Sequence, residues 1–218
     1  MDDASAALAR TAARYRATDR FSRHYVAAKL RRDPVYAALL ALATEAPLGE
    51  VLDLGCGRGQ VALALLEAGL ASAVQGFDWP GEALTAAARA GTGLPFRAVP
   101  ADLATLAVLP AADTVLFIDV LYQIEESAQA RLLALAAAAA RRRVLVRTLD
   151  PGHGARSSFT LALELLGRRF WPNTGETVRP VPPRAIAAQL EAAGFTVTIS
   201  PCWRGTPFAN VLLDARRE

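Results

Sequence analysis

The alternation of short apolar runs with amphipathic stretches predicts an α/β chain: a doubly wound, seven-stranded sheet with an antiparallel last strand, helices on both faces and a helical lead-in. Three observations carry this. Seven runs rich in Val, Leu, Ile and Phe stand at intervals along the chain, several closed by Gly or Asp. Most are separated by stretches with apolar positions at helical spacing, long enough for the crossover that parallel strands require. The last two runs, 195–199 and 209–215, are joined only by a turn through Gly205 and Pro207, and so short a connection forces an antiparallel pair.

In chain order, residues 4–46 are rich in Ala, Leu and Arg with apolar positions at helical spacing (Leu8, Ala12, Tyr15; Val35, Leu39, Leu42). The pattern breaks at Asp33-Pro34, where Asp serves as a cap and Pro fits the first turn of a new helix. This predicts a helical cap or lid over 1–46 and a sheet domain over 47–218. The strand expected at 51–54 runs into glycines, followed by a helix at 61–70 stopped at Gly69. Then come a strand at 73–77, a helix at 80–90 and strands at 96–99 and 114–119. A long helix follows at 125–140, with Ser127 as a nearby cap, and a strand at 143–149. Segment 151–183 interrupts the alternation with a helical piece at 157–170 and a Pro/Gly/Thr-rich loop. Its place beyond the fifth strand, where ligands sit in open α/β sheets, predicts an insertion over the ligand pocket. A helix at 183–193, ended by Gly194, precedes the final pair of strands.

A hydrophobic fraction of 53% with 21% charge excludes disordered, collagenous and disulfide-scaffold classes. Cys56 and Cys202 lie far apart and His24 and His153 are the only histidines, which argues against zinc, disulfides and a His-rich metal site. No apolar stretch is long enough to span a membrane; the run at 132–140 stops at Arg141. The first residues carry Asp2 and Asp3 and lack the order of a signal peptide, so a cytoplasmic protein is expected. Charge is uneven. Residues 1–32 hold seven arginines and Lys29 against Asp2, Asp3 and Asp19, a net +5, and the remainder holds 16 basic against 18 acidic residues, a net −2. Such asymmetry suits an acidic partner, a nucleic acid or a membrane surface.

The most informative run is Val51-Leu52-Asp53-Leu54-Gly55-Cys56-Gly57-Arg58-Gly59, a buried strand with an acidic residue that leads into Gly-x-Gly-x-Gly and a helix. Glycines there allow a tight turn and close approach of a ligand to backbone. A dinucleotide fold prefers Gly-x-Gly-x-x-Gly, and here the third glycine comes one residue early. Gly76-Phe77-Asp78 ends the second strand on a carboxylate able to accept both hydroxyls of a ribose. Ala101-Asp102-Leu103 follows the third strand, and Phe117-Ile118-Asp119-Val120-Leu121-Tyr122 ends the fourth. Singly, Asp102 and Asp119 read more readily as helix caps or turn residues.

Together these four elements resemble the motifs of class I S-adenosylmethionine-dependent methyltransferases, whose Rossmann-like fold is a seven-stranded sheet with a reversed last strand like the one inferred above. The resemblance implies S-adenosylmethionine as cofactor and S-adenosylhomocysteine as product. The residues it places on the cofactor are Asp53, Gly55, Cys56, Gly57, Gly59, Asp78, Trp79, Asp102, Leu103 and Asp119. Asp102 would receive the adenine amino group. Trp79 either stacks on the adenine edge or covers the core, and Cys56 is explained as a small loop-filling residue without a nucleophilic role. Methyl transfer is an in-line displacement that needs an aligned nucleophile, a dry pocket and sometimes a base. His153, in Asp150-Pro151-Gly152-His153-Gly154, and Tyr122 are the candidate catalytic residues, His153 reading otherwise as a solvated loop residue. Asp119 with Asp150 suggests the carboxylates of metal-dependent catechol methyltransferases, but Pro151 replaces the expected Asn, so no metal is expected.

Val120 and Leu121 stand where nucleobase amino-methyltransferases carry prolines, which argues against DNA N-methylation. The chain also resembles small bacterial methyltransferases of polyketide-like and aryl polyene pathways, through Arg31-Arg32-Asp33-Pro34-Val35-Tyr36, Asp119-Val120-Leu121-Tyr122 and Gly205-Thr206-Pro207-Phe208-Ala209-Asn210-Val211-Leu212-Leu213. It departs from them at Ala27-Ala28-Lys29, where a more glycine-rich lead-in is expected. This likeness implies a hydroxyl or aromatic-carbon acceptor on a small or acyl-carrier-protein-tethered biosynthetic intermediate. Tyr15, Tyr25, Lys29, Tyr122 and Arg147 are the expected acceptor contacts, with His24 and Asp150 also within the helical and post-strand segments. An anionic acceptor would meet Arg16, Arg20, Arg23, Lys29 or Arg31. Two other readings stand beside this: a non-catalytic S-adenosylmethionine-binding protein, and an RNA methyltransferase using the basic segment on phosphates, against which the acidic body argues.

Overall fold

The computed structural model describes residues 3–152, 154, 156, 157 and 179–217. His153 and all but the first residue of the helical piece expected at 157–170 lie outside the described residues. The strands form a seven-stranded sheet in the order β3-β2-β1-β4-β5-β7-β6. β1 (Glu50–Leu54), β2 (Ala73–Asp78) and β3 (Phe96–Pro100) pair in parallel. β7 (Asn210–Arg216) runs antiparallel to both β5 (Ala140–Leu149) and β6 (Thr196–Pro201), as the short connection between the last two strands predicts. Among the described residues no helix is long and apolar enough to cross a membrane.

The chain divides into two compact units. The first holds residues 1–103 and 112–114. Its lead-in is three helices, α1 (Asp3–Arg14), α2 (Arg20–Arg32) and α3 (Val35–Glu45), with a 3-10 turn at Tyr15–Ala17. The break before α2 comes at Asp19, whose carboxylate accepts the Ser22 N–H at 2.8 Å and caps the helix. At the next break Asp33 Oδ1 accepts the Val35 N–H at 3.1 Å, the capping role expected of it. Residues Val51 to Leu54 of β1 are all buried, and so are Val61 to Leu66 of α4 (Gln60–Glu67), which is why this helix is apolar around its whole circumference. α4 ends at Glu67, earlier than the expected 70. There Arg10 Nε reaches Glu67 Oε2 at 2.8 Å and Arg14 Nε binds Oε1. Arg14 also donates to the carbonyls of Ala90 and Thr92 at the end of α5 (Glu82–Ala90). Burial works upward on the Glu67 carboxyl, but the two guanidiniums outweigh it and hold it below the usual carboxylate range. At the entrance to β1, Asp113 Oδ2 accepts the Glu50 N–H at 3.0 Å and Thr114 donates to Leu48 O at 2.8 Å, so the start of β4 (Ala112–Ile118) fixes where β1 begins.

The second unit holds residues 104–111 and 115–218. After the rest of β4 come a 3-10 turn (Leu121–Gln123), α6 (Glu126–Ala139), β5, α7 (Pro183–Ala192), β6 and β7. α6 passes into β5 between Ala139 and Ala140 without a loop, so β5 starts three residues before the expected 143. Ser127 lies inside α6 and its N-cap, Glu125, makes no side-chain cap bond. Along β5 exposure follows the three arginines: Arg141 and Arg142 face outward and Arg143 is buried. Arg143 forks onto Asp214 of β7, Nε to Oδ1 and Nη2 to Oδ2 both at 2.7 Å, and Arg216 Nε adds a contact at 2.9 Å. Burial alone would raise the Asp214 carboxyl, but the two arginines lower it overall.

Removing one partner of this buried fork leaves the other charge uncompensated, so Asp214→Ala should destabilise the protein by about 3–5 kcal/mol in denaturant titration. Because the folded carboxyl titrates below its unfolded value, its contribution is present above the unfolded value and lost as pH falls through the folded one. The variant should therefore show a shallower acid limb in stability against pH than the parent.

Candidate functional site

In the first unit the turn between β1 and α4 sits at the end of β2. Asp53 of β1 is in register with Gly76, two residues before Asp78. Gly55 and Cys56 donate their N–H groups to Phe77 O at 2.8 and 3.1 Å, and Gly59 N donates to Cys56 O at 2.8 Å. Asp78 Oδ2 accepts the Gly57 N–H at 2.5 Å, while Oδ1 accepts the Trp79 N–H at 2.7 Å. Gly55, Gly57 and Gly59 take φ of 80, 55 and 73°, a region L side chains rarely adopt. Gly57 has a second requirement removed: a Cβ built there would meet nothing within 4 Å, so the space over it is open. Gly76 is needed for clearance instead, since a Cβ would stand 2.8 Å from Cys56 Sγ and 3.0 Å from Phe96. Cys56 is thus a buried wedge under the loop, its thiol pushed well above its ordinary value by burial and then by Asp53 and Asp78.

Two carboxylates lie beneath this turn. Asp53 is 1% exposed and its Oδ2 has no hydrogen-bond partner. Burial, with the charge of Asp78 second, pushes its carboxyl up to about 7. Asp78 is also raised by burial, with the Gly57 and Trp79 N–H groups and Arg58 working against the rise. Ala101 donates to Asp78 O at 2.8 Å, Asp102 is half-buried, Leu103 is buried, and the Trp79 ring is 59% exposed beside the site.

The lead-in helices close on the same turn. Tyr15 is fully buried, and its hydroxyl donates to the Arg58 carbonyl at 2.5 Å. Burial raises the phenol strongly, so it remains a donor. This placement ties Tyr15 to the loop backbone, a different contact from the one expected of it. Arg58 Nε donates to Ser22 Oγ at 2.8 Å, and its guanidinium lies 4.7 Å from the Phe21 ring centroid and 5.2 Å from that of Tyr25. Lys29 pairs with Asp33 at 2.9 Å, along its own helix. His24 is exposed with Nδ1 on Arg20 O at 2.7 Å, and Arg16, Arg20, Arg23 and Arg31 are exposed.

The second unit brings together the other predicted residues. β4 ends at Ile118, one residue earlier than expected, and Asp119 takes a φ of 61°, the one positive value among described non-glycine residues. Arg147, 1% exposed, binds Asp119 Oδ2 through Nη1 at 2.6 Å, and Asp119 N donates to Arg147 O at 3.2 Å. Gln123 donates to Asp119 O at 2.6 Å. Tyr122 is buried and its carbonyl accepts the Arg179 N–H at 2.8 Å. Asp150 Oδ1 accepts the Gly152 N–H at 2.8 Å, and its carbonyl accepts Ser157 Oγ at 2.6 Å. Thr148 and Asn210, neither of them given a site role by the sequence, are both buried, and their Oγ1 and Oδ1 have no hydrogen-bond partner among the described residues. Among the described residues no group of three or more His, Cys, Asp or Glu is arranged to hold a metal ion.

Asp53 offers a measurement on the first unit alone. Its folded carboxyl titrates above its unfolded value, so the neutral form stabilises the protein fully near pH 4 and that contribution disappears as pH rises through about 7. Asp53→Asn should remove the decline, gaining on the order of 2–4 kcal/mol over the parent at pH 8.5 but little at pH 4 in paired thermal or denaturant unfolding. A parallel pH dependence in both proteins would show that Asp53 is not the titrating group.

A family model described as a methyltransferase domain matches residues 22–199. The search of curated proteins finds no match. Among solved structures the chain is similar to magnesium protoporphyrin IX methyltransferase from Synechocystis PCC 6803 with bound SAH, at 22% identity and TM-score 0.63, over 84% of this chain and 81% of that one. It is similar to the mitomycin 7-O-methyltransferase at 24% identity and TM-score 0.64, over 91% of this chain and 56% of that one. A third likeness is to an S-adenosylmethionine-dependent methyltransferase from Mesorhizobium loti, at 20% identity and TM-score 0.64, over 84% of this chain and 98% of that one. The chain thus spans little more than half the length of the mitomycin enzyme, and at these identities the structures speak for the fold. With the family match covering most of its length and the sheet order and glycine turn in place, the chain belongs to the methyltransferase-domain family and is a class I, S-adenosylmethionine-dependent methyltransferase.

Proposed function

We propose that this methyltransferase acts on a hydroxyl oxygen of a small organic intermediate, phenolic or enolic in character, with the first unit's glycine turn as its cofactor site. One observation carries the cofactor part. The N–H groups of Gly55, Cys56, Gly57 and Gly59 are all used within the turn and the end of β2, so the loop has few donors to offer a diphosphate. The two carboxylates beneath it favour a cationic ligand instead. S-adenosylmethionine supplies, when bound, an electrophilic methyl group on a positively charged sulfur. Asp78, with acceptor capacity left on both oxygens, would hold the ribose hydroxyls, and Trp79 would offer an open ring to the adenine. Asp53 and Asp78 together would favour the cationic end. Asp102 and Leu103 are the proposed adenine contacts.

The acceptor part rests on the second unit. Asp119 is neutralised by Arg147, so neither is poised as a free base or as an open anion receptor. An acceptor that ionises readily fits such a site, because its own acidity replaces a strong general base. Tyr122 is the proposed acceptor contact there, and Asp119 contributes through its backbone turn. The likeness to a mitomycin 7-O-methyltransferase supports an oxygen acceptor. A carrier-tethered form of the same acceptor and an aromatic-carbon acceptor are alternatives that the assay below separates.

Asp78→Ala should weaken S-adenosylmethionine binding by about 30- to 150-fold in calorimetry, the loss expected for charge-assisted hydrogen bonds worth 2–3 kcal/mol; unchanged affinity would remove Asp78 from the site. Methyl-labelled cofactor incubated with free phenols and enols, carrier-bound acyl acceptors and RNA should label the small phenols and enols at oxygen, read by mass and by the methyl carbon shift. Labelling of RNA alone, falling steeply with salt, would overturn the small-molecule reading.

A further inference from the structure

Arg58, between Gly57 and Gly59 of the glycine turn, sends its side chain to the lead-in helices. Its guanidinium makes three contacts with one stretch of α2: a hydrogen bond to Ser22 Oγ at 2.8 Å, and cation–π contacts at 4.7 and 5.2 Å with the rings of Phe21 and Tyr25. Those two rings themselves stack, with centroids 5.8 Å apart and planes 29° from parallel. Ser22 is fully buried and its N–H is held by Asp19, so the acceptor offered to Arg58 is fixed in place. From the other side of the same residue, the Arg58 carbonyl receives the Tyr15 hydroxyl. Backbone and side chain of Arg58 are therefore both gripped by the lead-in, at the residue between Gly57 and Gly59, two of the three positive-φ glycines that shape the turn.

We infer that Arg58 is a positioning residue that couples helix α2 to the cofactor turn, so that cofactor binding and the docking of α2 strengthen each other. The inference rests on the glycine turn being the cofactor site. A loop of three left-handed glycines is costly to hold in one conformation, because glycine has the most backbone freedom to lose. Contacts that restrict Arg58 reduce the freedom left to be lost when the cofactor binds, which raises affinity without touching the cofactor. Linkage makes the effect reciprocal: a ligand that favours the ordered turn must also favour docked α2.

The test uses the full chain and S-adenosylmethionine as the probe. Hydrogen exchange of 20–26 should slow on adding the cofactor to the parent, and Arg58→Ala should abolish that slowing. The same variant should raise the cofactor Kd and KM about tenfold, with a smaller change in kcat. Arg58→Lys, which keeps the charge and loses the planar fork, should recover less than half of the lost affinity on a logarithmic scale. Ser22→Ala should shift affinity in the same direction by a lesser amount, which keeps the inference testable if Arg58→Ala folds poorly. Cofactor affinity within twofold of the parent in both Arg58→Ala and Ser22→Ala, or cofactor-dependent protection of α2 that survives in both, would overturn it. Asp78→Ala separates the two levels: if it binds normally, the cofactor-site reading itself has failed; if it loses binding and the Arg58 and Ser22 variants do not, only the coupling has.

Discussion

The Asp78 carboxylate organises the first unit's site. By taking the N–H groups of Gly57 and Trp79 it pins the β1–α4 turn to the end of β2, and it does so from a position set by strand register. Burial works against its charge, and two backbone donors plus the nearby Arg58 oppose that penalty. Other features follow from the turn being held there. Cys56 can sit under Gly76 only while the loop lies against β2, and Tyr15 can reach the Arg58 carbonyl only while that peptide faces the lead-in. Asp53, left with an unpartnered oxygen below, is the strain in the arrangement, and it relieves itself by holding a proton over more of the pH range than an exposed carboxylate would.

Several of the chain's arginines serve as scaffolding. Arg10 and Arg14 hold Glu67, Arg143 holds Asp214 and Arg147 holds Asp119, each joining segments distant in sequence. The guanidinium suits this work because its planar fork can satisfy a carboxylate and neighbouring carbonyls together, as Arg14 does at the ends of α4 and α5. The basic balance of the first 32 residues is thus partly spent on pairing within the first unit; beyond Arg10, which is exposed yet paired with Glu67, the exposed arginines lie along α2 and the turn before it, at Arg16, Arg20, Arg23, Arg31 and Arg32.

The sheet was legible because its signals are local: a glycine run after an apolar strand, Asp at a strand end, a turn too short for a crossover. Asp53, Asp78 and the three glycines were legible for the same reason. Contacts that depend on what the fold brings together were not. Arg58 lies 36 residues from Ser22, and nothing in its own neighbourhood says that it turns back toward a helix. Arg147 is an expected acceptor contact, and its pairing with Asp119, 28 residues earlier, could not be read from its own neighbourhood. Asp19 was within reach of sequence rules, since an Asp three residues before Ser22 is a helix-start pattern, but the even Ala/Arg texture around it hid the break.

The grip of Arg10 and Arg14 on Glu67 bears on how the protein tolerates handling at its N-terminus. Glu67 is largely buried at the end of an apolar helix, so proteolytic trimming ahead of Tyr15 would leave a carboxylate with no cation at the junction of α4 and α5. Glu67→Leu, by contrast, removes the charge together with the need for its partners. That substitution addresses only the charge: the packing of α1, whose Ala7 and Thr11 are fully buried, is still lost on trimming, so it separates the electrostatic share of the first helix's contribution from the apolar share.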